Sequence, residues 1–198
     1  MSLVTIATVV EGHGEVAALP VLLRRMAAEI APTLWVEVPL PYRVGRQAVI
    51  RPGGLERVLG AVAEQAGAGV VVLLDADDDC PATLGPELAQ RARRARPDLP
   101  VAPILANREF EAWFLAAAPS LGGHRGLAAD LDRPAEAERP RDCKGWLSAH
   151  RTDGRAYKPV SDQAALAAVF DLSMARAHSR SFDKLWRTLA ELLAGEGA

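Results

Sequence analysis

The chain has 198 residues, a hydrophobic fraction of 49% and a formal net charge of -2 at pH 7. That length and apolar content suit one sizeable domain, with room for a small appended lobe, and the near-neutral balance excludes a histone-like polycation while allowing local basic patches. Cys80 and Cys143 form no C-x-x-C pair and are read as reduced thiols; no run approaches membrane-spanning length and none resembles a signal peptide, so a cytoplasmic protein is expected.

In chain order, residues 3–10 are β-branched and apolar, as in a strand buried on both faces. Glu11-Gly12-His13-Gly14 follows, with the two glycines expected to let the backbone turn sharply, and residues 15–30 carry apolar side chains at helical spacing. Residues 35–44 alternate as a strand, but Pro39 and Pro41 make it an edge or cut it short. A helix is expected from Leu55 to near Gly67 or Gly69. The most apolar run, residues 70–74, is then a central buried strand tipped by Asp75-Ala76-Asp77-Asp78-Asp79.

Residues 81–96 predict a helix with a basic outer face (Arg91, Arg93, Arg94, Arg96), read chiefly as a solvated face, and residues 101–105 a fourth strand. Alternation of strand and helix implies a parallel sheet with helices on both faces. Asn107 is expected to cap a helix over residues 108–118, with Trp113 and Phe114 facing inward. Residues 119–159 dissolve into Gly, Pro, Arg and Asp around a short Trp146-Leu147 segment. Helical segments follow at 162–170, 173–177 and 181–193, the last capped by Ser181. The organisation expected is an α/β core over residues 1–118 and a loop-rich insertion with a C-terminal helical cap over residues 119–198.

Strands ending in Glu11 and in Asp75-x-Asp77 would, if parallel and adjacent, bring three or more carboxylates into one crevice at the carboxyl edge of the sheet, where open α/β sheets bind ligands. Such crowding is costly unless a cation neutralises it or a proton is retained, and an all-oxygen donor set suits Mg²⁺ or Mn²⁺. Lys158, one of only three lysines, lies in Tyr157-Lys158-Pro159 and is read either as a catalytic cation beside a scissile phosphate or, with equal weight, as a plain surface lysine. Acids at helix starts also complement the helix dipole, so Glu15, Glu109 and Glu111 have a structural explanation as well. His13, Asp78 and Asp79 are read as exposed or capping residues.

Val-Glu-Gly-His-Gly-Glu at residues 10–15 and Leu-Leu-Asp-Ala-Asp-Asp-Asp at residues 73–79 resemble the two signature motifs of the Toprim domain, and Glu-Gly-x-x-Glu is similar to the branch of OLD (overcoming lysogenization defect) nucleases. Asn-Arg-Glu-Phe-Glu-Ala-Trp-Phe-Leu at 107–115, Tyr-Lys-Pro at 157–159 and His-Ser-Arg-Ser-Phe at 178–182 resemble a bacterial family of Toprim-like proteins often encoded beside an ATPase. The resemblance implies a Toprim-like three-layer fold with a mainly parallel four-stranded sheet. It also implies Mg²⁺-dependent cleavage of DNA or RNA, in the setting of an ATPase-coupled phage-defence system. Glu11 would be the general acid/base or metal-ordering carboxylate, Asp75 and Asp77 metal ligands, and Glu15 a ligand of a second metal; beyond the resemblance, Glu111 is a further candidate for that second metal. The chain departs from the OLD pattern in having no Gly-x-x-x-x-Gly-Lys-Ser/Thr phosphate loop, so an energy source would come from a separate ATPase. That partner is expected to dock on the apolar face of the last helices (Phe170, Leu172, Phe182, Leu185, Leu189), although core is the favoured reading of those residues. Two alternatives stand beside the nuclease: a non-catalytic metal-binding module that docks an ATPase or nucleic acid, and a receiver-like phosphoacceptor, disfavoured because its single acid and acidic pair are interchanged here.

Overall fold

The computed structural model describes residues 2–195. Its first half runs β1 (Ser2–Val10), α1 (His13–Ile30), β2 (Leu34–Glu37), β3 (Tyr42–Arg43), α2 (Arg46–Ile50), α3 (Gly54–Val62), β4 (Gly69–Asp75), α4 (Pro81–Ala95), β5 (Val101–Ala106) and α5 (Ala112–Ala116). The remainder adds α6 (Cys143–Ala149), a π-helical turn at Pro159–Gln163, α7 (Ala164–Ala167), α8 (Leu172–His178) and α9 (Arg180–Ala194). The strands form a parallel sheet in the order β2-β1-β4-β5, with β3 also beside β1. This is the α/β, Rossmann-like three-layer architecture that the alternation of the sequence implies.

β4 is buried along its whole length between β1 and β5, and its side chains alternate between two cores. Val71 and Leu73 face the larger core, shared with α1 and the helices after residue 112; Val70, Val72 and Leu74 face the smaller one, built with α2, α3 and α4. The larger core runs without a break from β1 to Leu193, so residues 119–195 are packed into the same core as the first part of the chain. Among the described residues no helix is long and apolar enough to cross a membrane.

Several expectations are corrected. The strand expected at 35–44 is two short strands, because Pro39 and Pro41 cannot donate to a ladder; the sheet therefore has five strands. The glycines of Gly-His-Gly are not in the left-handed region. Gly14 is instead required by close packing, since a Cβ there would sit 2.2 Å from Gln163 Oε1 and 2.8 Å from Pro159. The helix expected at 108–118 shrinks to α5, as Arg108 has a positive φ of 69° and Asn107 donates to Glu138 rather than capping. Ser179, not Ser181, caps α9 by accepting from Phe182 N. Phe170, Leu172, Phe182, Leu185 and Leu189 are buried core, which removes them as an exposed docking face.

Candidate active site

The parallel register sends β1, β4 and β5 out of the sheet at the same edge. Glu11 follows β1 directly, Asp75 is the last residue of β4, and the segment 107–111 follows β5. This segment folds back over β4, because Phe110 N donates to Asp75 Oδ1 at 2.7 Å and Asp77 N donates to Arg108 O at 3.0 Å. Glu111 is thereby driven under the turn and is fully buried, and Asp75 and Glu15 are nearly so.

Glu15, at the third position of α1, accepts from the backbone N–H groups of Glu11 (3.1 Å) and Gly12 (3.2 Å) through Oε2. It therefore has the helix-start role expected of an acid there, yet remains electrostatically coupled to its neighbours. Burial pushes its carboxyl up to about 7, against the pull of the Gly12 N–H and with further push from Glu11 and Glu111. Asp75 is raised well above its usual range by burial and by Glu15 and Glu111. Glu11 is raised by burial and by Asp77, and Glu111 by burial. Glu11, Glu15, Asp75 and Glu111 thus form one cluster whose members each retain a proton more readily than a free carboxyl.

Two cations partly answer this charge, and sequence reasoning assigned neither. Lys144, on α6, places Nζ 3.0 Å from Glu109 Oε1 and 3.2 Å from Glu111 Oε2. Burial opposes its charge, but Glu111, Glu109 and Asp75 together raise its proton affinity. Arg46, at the start of α2, is buried behind the acidic loop; it donates to Asp75 O at 2.9 Å, pairs with Asp79, and lies 3.8 Å from Asp77 Oδ2. Glu111 Oε1 also accepts from Tyr157 Oη (3.0 Å) and Gln163 Nε2 (3.3 Å).

Lys158 is exposed and makes no ion pair among the described residues; its backbone N–H donates to Asp162. In Tyr157-Lys158-Pro159 it is the tyrosine that reaches the carboxylates, and the lysine that does so is Lys144. The rarity of lysine in this chain pointed equally to both. Asp77 is exposed at the mouth, in a left-handed conformation with φ of 52°, near enough to raise Glu11. Asp78 pairs with Arg108 and Arg141 at the surface, and His13 is exposed. The basic face of α4 is partly structural: Arg91 is bound to Glu56 and to the carbonyls of Ile50 and Arg51, and Arg96 to Asp98.

The donor chemistry suits a hard divalent cation. Glu11 Oε2 is buried without a hydrogen-bond partner, and Glu111 Oε2 has only the Lys144 ammonium at ion-pair distance. As folded, however, no three His, Cys, Asp or Glu side chains stand together in ligand geometry among the described residues.

Residues 10–190 match the model of a family described as Domain of unknown function (DUF4276). No curated protein and no solved structure matches the chain.

Proposed function

This chain belongs to the DUF4276 family, and from the chemistry of its carboxylate crevice we propose that it is a divalent-metal-dependent phosphodiesterase acting on nucleic acid, a nuclease of the Toprim and OLD-like kind. The observation that carries the reading is that Glu11, Asp75 and Glu111, supplied by the turns and tip at one edge of three adjacent parallel strands, each have raised proton affinity, and that, besides burial, Glu111 and Glu11 both push up the carboxyl of Asp75.

In this reading Glu11, Asp75 and Glu111 hold Mg²⁺ or Mn²⁺, with Glu15 and Asp77 completing the acidic surround. When bound, the cation supplies charge stabilisation to the phosphoryl oxygens. Glu11, half-buried and with an unpartnered Oε2, would either order that cation or, left unligated, hold a proton for the scissile oxygen. Lys144 offsets part of the charge of Glu109 and Glu111, which lowers the repulsion a phosphate meets, and Tyr157 and Gln163 fix the Glu111 carboxylate in place. A separately encoded ATPase belongs to the reading as the source of energy, and would dock elsewhere than on the buried C-terminal helix face.

The test is incubation of the purified protein, and of its Glu11→Gln variant, with circular DNA and with RNA in Mg²⁺, Mn²⁺ or chelator. Cleavage that needs the cation and is lost in the variant supports the proposal; cleavage in chelator, or equal cleavage by the variant, overturns it. The Lys144 ammonium already in the crevice favours a second reading, a metal-responsive binding module without catalysis. Cation-dependent stabilisation with no cleavage of either substrate selects that one.

A further inference from the structure

Beside the crevice lies a groove of about 830 Å³ whose walls come from three segments far apart in sequence: the turn after β5, the insertion around residues 133–139, and the α8–α9 corner. Six arginines line it, Arg108, Arg133, Arg139, Arg176, Arg180 and Arg187, with His178 among them. Their counter-charges are fewer than the arginines. Asp183 is shared by Arg176 and Arg187, Asp78 pairs with Arg108, and Glu136 stands 3.9 Å from Arg139, which leaves Arg133 and Arg180 without an ion pair among the described residues. Glu138 is committed inward: its carboxylate accepts from Asn107 Nδ2, Ser179 Oγ, Ser181 N and Ser181 Oγ, which pins the three walls together. Burial acts against its charge, but these hydrogen bonds hold it below the usual carboxylate range, so it stays ionised and occupied.

Arg108 belongs both to this groove and to a cleft of about 130 Å³ that it shares with Asp77, Asp78 and Glu109 at the tip of β4. It sits at a positive φ that a non-glycine residue rarely adopts, donates to Asp77 O and Asp78 Oδ1 at 3.0 Å each, and keeps a buried Nε without a partner. Among the described residues no Trp, Tyr or Phe lines the groove, so it offers phosphate contacts without a platform for stacking bases.

We infer that this arginine groove binds the phosphate backbone of nucleic acid, independently of sequence, and leads it past Arg108 to the carboxylate crevice. The destination rests on the proposed cleavage; the binding does not. Arginine forks in a concave surface where they outnumber the acids engage phosphate oxygens, and the affinity they supply falls with salt as counterions are released.

The experiment is fluorescence anisotropy with labelled single-stranded and duplex oligonucleotides in chelator, between 50 and 200 mM salt, on the full chain and its variants. Arg139 and Arg180 are exposed, and Arg180 has no ion-pair partner among the described residues, so Arg139→Ala/Arg180→Ala should leave the melting temperature unchanged. Affinity is expected to fall about tenfold or more, and the log–log salt slope to shrink by about 1.4 to 1.8, since each lost phosphate contact removes roughly 0.7 to 0.9. Arg57→Ala, exposed on α3 in the helical layer on the opposite face of the sheet, should bind as the wild type does. No binding by the wild type at 50 mM salt, an unchanged slope in the double variant, or an equal loss in Arg57→Ala would overturn the inference. Binding that depends on the groove, without cleavage under any cation, supports the groove and removes the nuclease reading instead.

Discussion

Lys144 Nζ lies 3.2 Å from Oε2 of Glu111, a carboxylate with no exposed surface, at the point where the insertion meets the carboxyl edge of the sheet. One lysine therefore holds much of the charge balance of the cluster. Lys144→Met should destabilise the fold at pH 8 by about 1 to 3 kcal/mol, a range kept below that of a fully buried broken pair because the lysine side chain is 37% exposed. At pH 5.5 the loss should shrink, because Glu111, already raised by burial, takes up a proton once its partner is gone. Thermal melts at the two pH values check this, and equal losses at both would sink it.

The wild type should itself grow less stable as pH rises from about 5 to 8 in chelator. Glu15 is pushed up to about 7 from an ordinary value of 4.5, so its stabilising contribution is complete below the unfolded value and is lost as pH rises through about 7. Asp75, Glu11 and Glu111 are shifted in the same direction and add to it. Glu15 alone accounts for up to about 3 kcal/mol across that window. Millimolar Mg²⁺ or Mn²⁺ should flatten the slope, which scanning calorimetry against pH reads directly. A flat profile in chelator would show that the cluster is not under repulsion.

Asp75→Asn removes one charge while leaving a side-chain oxygen to accept from Phe110 N. In chelator at pH 8 the variant should melt higher than the wild type, by an amount on the order of 1 kcal/mol, and should lose most of the gain that Mg²⁺ or Mn²⁺ confers. A wild-type chain indifferent to cations up to millimolar levels would argue against the metal site.

Glu11→Gln should lower cation-dependent cleavage by roughly a hundredfold or more while leaving folding and oligonucleotide binding intact. Single-turnover nicking of circular DNA, beside anisotropy on the same preparation, separates the two effects. Nicking at the wild-type rate would point to another site or a contaminant.

What could be read from the chain by itself were the features carried by local pattern. Apolar runs of strand length alternating with helical periodicity determine the α/β fold, and acids placed at the ends of those runs must emerge at one edge once the strands are parallel, which is why Glu11 and Asp75 were identifiable. Tertiary structure alone decided the partners. Lys144 and Arg46 are ordinary by sequence position and reach the cluster only because α6 and α2 dock where they do. Arg108 through Glu111 read as the first turn of a helix, yet the hydrogen bond from Phe110 N to Asp75 bends them over the sheet, a contact between residues 35 apart that no local periodicity encodes. The arginine groove was invisible for the same reason: charges scattered among three segments in a chain of nearly neutral balance become one surface only when Glu138 joins their walls, because electrostatic potential depends on distance in space and not on distance along the chain.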